Sequence, residues 1–571
     1  MLQISDPKSA RKFITPIFQI TDWDSIKPYY DLLCDQNIAS IDDFRQWLRN
    51  RSELESVISE NSGWRYIRMT CDTANEEKQL AYNYFITEIE PNIQPYTNKL
   101  DEKLLQCKFK SSLTSDGDQI LIKSVENHHK IFREENIPLS TEIMQEQTKY
   151  AATVGGLMVT INGEEMTLQK AGNFLFNPDR AIRESAYYEI QKKRLSVKNE
   201  LNLLFDKLIT LRNKVAHNAG FNNYRDYMFV EMCRFDYTPK DCFDFHEAVA
   251  TQVVPLLNDL AAERKNALQV DKLRPWDLSV DKKNRQALKP FSTGKELTDK
   301  TVECFTILNP FIGECIQTME KMGHLDLESR KGKAPGGYNY PLYETGVPFI
   351  FMNSVGTVRD LVTMVHEGGH ALHSIVTKDL ELISYKNVPS EVAELASMSM
   401  ELLSMEHWDL FFANEEELKR AKRDHLEQII ETLPWVATID KFQHWLYENP
   451  THSQQERTKK WNEVHSEFSS NVIDWSDLQE YKDNIWQKQL HLFEVPFYYI
   501  EYGMAQLGAI AVWKNFKENN NKGLEQYLAA LKMGYTHSIS DIYATSGIKF
   551  DFSANYIKEL MDFVKVELGK L

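Results

Sequence analysis

The chain has 571 residues, 42% hydrophobic, 11% aromatic and 26% charged, the balance of a folded globular protein, which excludes disorder as the main state. Its 83 acidic and 66 basic residues give a formal charge of −17; such a surface repels nucleic acid and anionic lipid unless a basic patch overrides it, and only short mixed runs such as Lys282-Lys283 and Lys331-Gly332-Lys333 occur. Seven cysteines without C-x-x-C spacing suggest neither a disulfide framework nor a cysteine-based zinc site. The start, MLQISDPKSARKF, lacks the apolar region of a secretory signal, and no window nears the ~18 apolar residues of a membrane span. The expectation is a cytoplasmic protein with no nucleic-acid or membrane partner.

Along the chain, apolar residues recur at helical spacing from Ala74 to Glu90, and Glu90-Pro91 predicts the end of that run. Val159-Thr160-Ile161, Asn162-Gly163 and Met166 to Leu168 predict a small hairpin on an Asn-Gly turn. Asn177-Pro178-Asp179 reads as a helix start, with Asn177 as cap, and the pattern then runs to a stop at Ala219-Gly220. Further helical stretches cover about 238–269, 295–322, 413–447, 454–468, 475–490 and 497–518. A second strand candidate, Val347 to Met352, follows the Gly-rich loop Gly332 to Tyr340. The expected fold is mainly α with a small antiparallel β element. The loops at 281–294 and 328–346 are the best division points, giving an N-terminal helical part over 1–330 and a catalytic part over 331–571 within one continuous body.

The segment that carries chemistry runs from Thr357 to His373. Thr357 and Asp360 form a capping-box-like start, and Val358, Leu361, Val362, Val365 and Leu372 make an apolar stripe, so the segment reads as a buried helix. His366 and His370 stand at i and i+4, with both imidazoles on one face. Glu367, beside the first, can reach a metal-bound water without ligating the metal. This is the H-E-x-x-H arrangement of zinc hydrolases. With 15 histidines in 571 residues, fewer than about 0.06 such matches arise by chance. Gly368 and Gly369 each cost about 1 kcal/mol inside a helix, which suggests that something approaches closely there.

Zinc needs a third protein ligand and an open fourth position. The metzincin solution fails, because His373 and Val376 stand where its Gly and His would be. A downstream helix from about Ser390 offers Glu391, Glu394 and Glu401 on one face, and its apolar neighbours mark it as buried. Spacing does not choose between Glu391 and Glu394.

The run HEGGHALH, with ELASMSME beginning 28 residues after His366, resembles the thimet oligopeptidase/oligoendopeptidase F family of zinc peptidases, whose members carry H-E-x-G-H-x-x-H and a later E-x-[PA]-S-x-x-x-E. Gly369, His373, Ala396, Ser397 and Glu401 fit that pattern, and the resemblance selects Glu394 as third ligand. It extends to Met69-Thr-Cys-Asp-Thr73, Arg212, Gly220-Phe221, Tyr224, Gly336-Gly337-Tyr338 and His491 to Tyr502. Ala396, where the thimet branch has Pro, places the chain nearer the bacterial oligoendopeptidases.

The resemblance implies a helical clam-shell enclosing a deep channel, one zinc per chain on His366, His370 and Glu394, and short peptides as substrates cut at internal bonds. Glu367 would be the general base acting on a zinc-bound water. Gly336, Gly337 and Tyr338 would form a mobile substrate-facing loop, and 347–352 the sheet edge to which a peptide adds as a strand. His491, Tyr498, Tyr499 and Tyr502 would donate to the oxyanion; a helix over this stretch would put Tyr498 and Tyr502 on one face. His373 reads as a structural or supporting residue, and Glu391 and Glu401 as candidate acceptors for the ligand imidazoles. Nothing in the sequence sets the oligomeric state. The rivals are a metallocarboxypeptidase and a peptide-binding protein that has lost catalysis, which would show damage to His366, Glu367 or His370.

Overall fold

The computed structural model describes residues 11–571. The chain is mainly helical, with a two-stranded and a three-stranded sheet among the described residues. It divides into two compact units that interleave along the sequence rather than parting once near residue 330.

The first unit comprises Met1–Phe132, Lys289–Lys419 and Gly508–Phe550. Its N-terminal helices Trp23–Asp35, Ile41–Cys71 and Asp116–Ile131 each begin at a reciprocal capping box, on Asp22–Ser25, Ser40–Asp43 and Ser115–Asp118. They close over Ile26, Tyr30, Phe44 and Trp47. Glu90-Pro91 does not end the helical run. A π segment, Phe85–Ile89, moves the pairing so that the Glu90 amide donates to Phe85 O, and Pro91 opens the next helix, Glu90–Gln106, where its missing amide costs nothing.

This unit also holds the three-stranded sheet: β3 (Leu325–Glu328), β4 (Tyr338–Tyr340) and β5 (Phe349–Ser354), numbered after the hairpin strands β1 (Met158–Ile161) and β2 (Glu164–Thr167). The order is β3-β5-β4, so β5 is the central strand, parallel to β3 and antiparallel to β4. The 347–352 stretch is therefore not the edge expected from the sequence. The short alternation Leu325-Asp-Leu-Glu328 fills one side of it, and the free antiparallel edge belongs to β4. Phe349 and Phe351 pack on Ile67, and the side chain of Lys333, from the short mixed run Lys331-Gly332-Lys333, is covered, its ammonium donating to the Asp326 carboxylate and to the carbonyls of Asp326, Glu328 and Met352.

The second unit comprises Arg133–Leu288, Arg420–Leu507 and Asp551–Leu571. The β1–β2 hairpin forms on Asn162 and Gly163, both at positive φ, as an Asn-Gly turn requires. The long helical runs are broken: Arg180–Leu195 from Lys198–Asn218, and Pro239–Gln252 from Val254–Ala267 at Pro255. The first of these is capped by Asp179, with Asn177 two residues earlier accepting from the Asp179 amide. In the first unit Pro310 parts Gly294–Leu308 from Pro310–Lys321 in the same way. Glu415–Glu448 stays one helix, with Pro434 inside it.

Candidate metal centre and active site

The Val358–Thr377 helix starts on the Thr357–Asp360 capping box, and Asp360 also accepts from the Val355 amide at 2.9 Å. Leu361, Met364, Val365 and Leu372 are buried, which turns the His366–His370 face toward the Ser390–Ser404 helix. A Cβ on Gly369 would lie 2.6 Å from Ser397 Cα, and one on Gly368 2.7 Å from the Phe305 ring. Gly369 is the condition for these two helices to come this close, and Gly368 makes room for the Phe305 ring of the Gly294–Leu308 helix. Tyr527 and Tyr543 hydroxyls, donating to Ala396 O at 2.7 Å and Glu391 O at 3.0 Å, hold the second helix in place.

Across this contact Glu394 Oε2 lies 3.4 Å from His366 Nε2 and 3.7 Å from His370 Nε2, and the three donor atoms lie within 4.8 Å of one another. Ligands at about 2.0 Å on a tetrahedral zinc are about 3.3 Å apart, so the Glu394 oxygen stands close to ligand spacing from both imidazole nitrogens. His366 Nδ1 donates to Glu401 Oε1 at 2.6 Å, which leaves the Nε2 lone pair directed at the group. Glu391 is buried but outside it, as is His373, whose ring is turned to the Leu531 backbone.

Electrostatics separate the acids. Burial opposes charge on Glu394, but the His370 and His366 imidazoles and the Ser397 hydroxyl outweigh it and hold the carboxylate down at about 2. Burial pushes the neighbouring Glu367 up to about 7, against the pull of His366. Burial also lowers His370 to about 4, the neutral form a ligand needs. Burial lowers His366 too, but the Glu394 and Glu401 carboxylates outweigh it and hold the imidazole well above its ordinary value, so a metal would take the place of a proton there. The arrangement offers two imidazoles and a carboxylate as ligands, with a second carboxylate poised to carry a proton.

Residues 173–562 match the peptidase family M3 model, and residues 13–132 match the peptidase M3 N-terminal domain. The chain belongs to peptidase family M3. Among curated proteins it is 20% identical to an oligoendopeptidase F homolog of Borreliella burgdorferi, over 93% of this chain and 91% of that one. It is 21% identical to the chromosomal oligoendopeptidase F of Lactococcus lactis subsp. cremoris, over 71% and 66%. The solved structure of PZ peptidase A with an inhibitor superposes with a TM-score of 0.91 at 24% identity, covering 98% of this chain and 99% of that one. M3 is a metallopeptidase family, so the chain is a peptidase of that kind.

Other positions on which the sequence resemblance rests group around the first unit's sheet. Tyr338 opens β4, stacks on Phe351 at 4.8 Å and shares a 2.6 Å hydrogen bond with Thr70. Ala334 N donates to Thr70 O, and Thr73 N to Gly332 O, so the Met69–Thr73 segment clasps the 332–338 loop. Gly336 and Gly337 are exposed, and the Asn353 amide donates to Gly336 O. Asn339 of β4 donates to Glu367 O at 3.4 Å, so the free edge of the sheet runs beside the candidate base.

Residues 491–502 lie in the second unit, where His491 gathers the three tyrosines: its ring centroid lies 6.1, 4.7 and 5.6 Å from those of Tyr498, Tyr499 and Tyr502. The helix expected over 497–518 starts only at Ile500. Phe497 takes a φ of 69°, so Tyr498 and Tyr499 stand on a turn, not on the Tyr502 helix. Arg212, fully buried, donates to the carbonyls of Leu492 and Phe493 and to Tyr447. Arg234, absent from the sequence reading, donates to Phe497 O and pairs with Glu501 at 2.8 Å. Its only sequence signal is a lone arginine between Glu231 and Asp236 in the largely apolar stretch Phe229 to Tyr237.

Proposed function

We propose that this M3 protein is a zinc endopeptidase that hydrolyses internal bonds of short, unstructured peptides, with His366, His370 and Glu394 holding one zinc ion. The observation that carries the reading is the three-atom group on two helices with Glu367 next to it. When bound there, zinc supplies Lewis acidity: it polarises a carbonyl and acidifies water. Glu401 keeps His366 in the tautomer that presents Nε2. Glu367 takes the proton from the attacking water onto its carboxylate and passes it to the nitrogen of the leaving amine. An extended peptide added to the β4 edge would run beside Glu367, with main-chain hydrogen bonds giving affinity for any sequence. The exposed Gly336-Gly337 next to that edge leave room for side chains.

His491 fits the role of oxyanion donor. Gln489 Oε1 accepts from the Trp435 indole at 2.9 Å, so its amide nitrogen faces His491 Nδ1 at 2.7 Å and donates to it. The proton of neutral His491 is then on Nε2, available to a developing negative charge. Tyr498, Tyr499 and Tyr502, all half-buried beside it, are the further donors of the proposal. The substrate class follows the oligoendopeptidase names of the relatives. A cytoplasmic workplace follows from the cysteine pattern and composition; no described helix is long and apolar enough to cross a membrane.

The test is a mixed peptide library with cut sites read by mass spectrometry, alongside a tightly folded protein. Internal cuts in peptides of roughly five to twenty residues, lost on chelation and restored by zinc, are expected, with the folded protein left whole. Release of C-terminal residues only would point to a carboxypeptidase, and binding without cleavage to a peptide-binding protein.

A further inference from the structure

A second group of metal-ligating side chains lies within the second unit, and the peptidase chemistry uses none of it. The Pro239–Gln252 helix carries Cys242 and His246, and the Glu415–Glu448 helix carries Asp440 and His444. Each pair is spaced i, i+4, so each presents one helical face. These faces meet. His246 Nε2 lies 2.8 Å and His444 Nε2 3.3 Å from the same oxygen, Asp440 Oδ2. Donor atoms of Cys242, Asp440 and His444 lie within 4.8 Å of one another. All four residues are buried, Cys242 and Asp440 completely and the two histidines to 2% exposure.

Left as protein alone, this cluster is costly. A carboxylate removed from water needs a compensating charge. The groups that reach Asp440 are His246, His444 and the Gln443 amide at 2.8 Å, none of which carries a fixed positive charge. Neither nitrogen of His444 makes a hydrogen bond, nor does His246 Nδ1, although buried ring nitrogens nearly always find one. A divalent cation removes the first cost and part of the second. It takes the His444 lone pair, and a thiolate and a carboxylate bring the centre to neutrality. The 3.3 Å between His444 and Asp440 is also about the separation of two ligands 2.0 Å from a tetrahedral zinc.

We propose that Cys242, Asp440 and His444 bind one transition-metal dication, with His246 and Gln443 orienting Asp440 from behind. Thiolate with imidazole selects zinc over calcium or magnesium, and complete burial makes the site structural. Gln443 links it to the aromatic segment: its Oε1 accepts from the Phe497 amide at 2.8 Å, at the positive-φ turn before Tyr498 and Tyr499. The ion would brace that turn, and the full chain would hold two metal ions.

The test uses sulfur, which the peptidase centre lacks. In the full chain, the double variant His366→Ala/His370→Ala leaves the second group intact. It should keep one equivalent of metal by elemental analysis. After cobalt exchange it should show thiolate-to-cobalt charge-transfer absorption, and chelation should lower its Tm. Adding Cys242→Ala should remove that absorption and the remaining equivalent. A double variant that holds no metal and gives no thiolate band overturns the proposal without altered residues at the site, and so does a band that survives Cys242→Ala. Failure of the peptidase-centre reading would look different: metal content would be the same in the parent and the double variant.

Discussion

In the Val358–Thr377 helix, spacing along the chain is already geometry. A regular backbone puts His366 and His370 one turn apart, and Gly369 lets a second regular helix deliver Glu394 to the same point. The 491–502 segment reaches a comparable concentration of polar rings by the opposite route. It is a short helix, a turn with Phe497 at positive φ and the start of another helix. Arg212 and Arg234, more than 250 residues earlier, fix its carbonyls. A cluster of polar side chains can thus come from periodicity or from buried ties across the sequence, and only the first is written locally.

The comparison breaks most sharply at the metal. Glu394→Gln should abolish turnover and lose the zinc equivalent of the peptidase centre, whereas Glu391→Gln should change neither by more than a few-fold; elemental analysis and peptide turnover would show the reverse if the acids were misassigned. On the irregular side, Tyr502→Phe or Tyr498→Phe should lower kcat by about 10²–10³, or ~3–4 kcal/mol, with little change in KM. Steady-state kinetics in which all three tyrosines tolerate Phe within a few-fold would reduce the cluster to packing and leave His491 as the donor. Glu401→Gln should weaken zinc retention about 10–100-fold, measured by competition with a chelator; unchanged affinity would mean that the His366 hydrogen bond does not tune the ligand.

The same contrast explains what could be read in advance. His366, Glu367, His370 and the Asn162-Gly163 hairpin follow from local spacing and turn chemistry. Choosing Glu394 over Glu391 needed a resemblance, because the rotation of one helix against another is set by packing such as Gly369 on Ser397, which periodicity does not encode. The four-residue β3 was missed, so central β5 passed for an edge. The helices Trp23–Asp35, Ile41–Cys71 and Asp116–Ile131 are not among those expected from the sequence, although capping boxes on Asp22, Ser40 and Ser115 mark their starts. Arg234 stayed hidden because its partners, Phe497 and Glu501, are distant in sequence.

Gly369→Ala is the smallest of the expected effects and the most direct probe of the regular side. Its Cβ would meet Ser397 Cα at 2.6 Å, so overpacking of about 1–3 kcal/mol should outweigh the ~1 kcal/mol gained in helix propensity. Denaturant unfolding would report the loss, and a stabilised variant would mean that the two helices separate freely.

In the proposed mechanism one carboxylate, Glu367, touches the reaction without holding the metal. Glu367→Gln, assayed for both zinc content and peptide turnover on the same preparation, separates those roles. Zinc should remain at the parent level while kcat falls by at least about 10²–10⁴-fold. Near-normal turnover with full zinc would contradict the mechanism, and loss of zinc with turnover would make Glu367 a ligand instead.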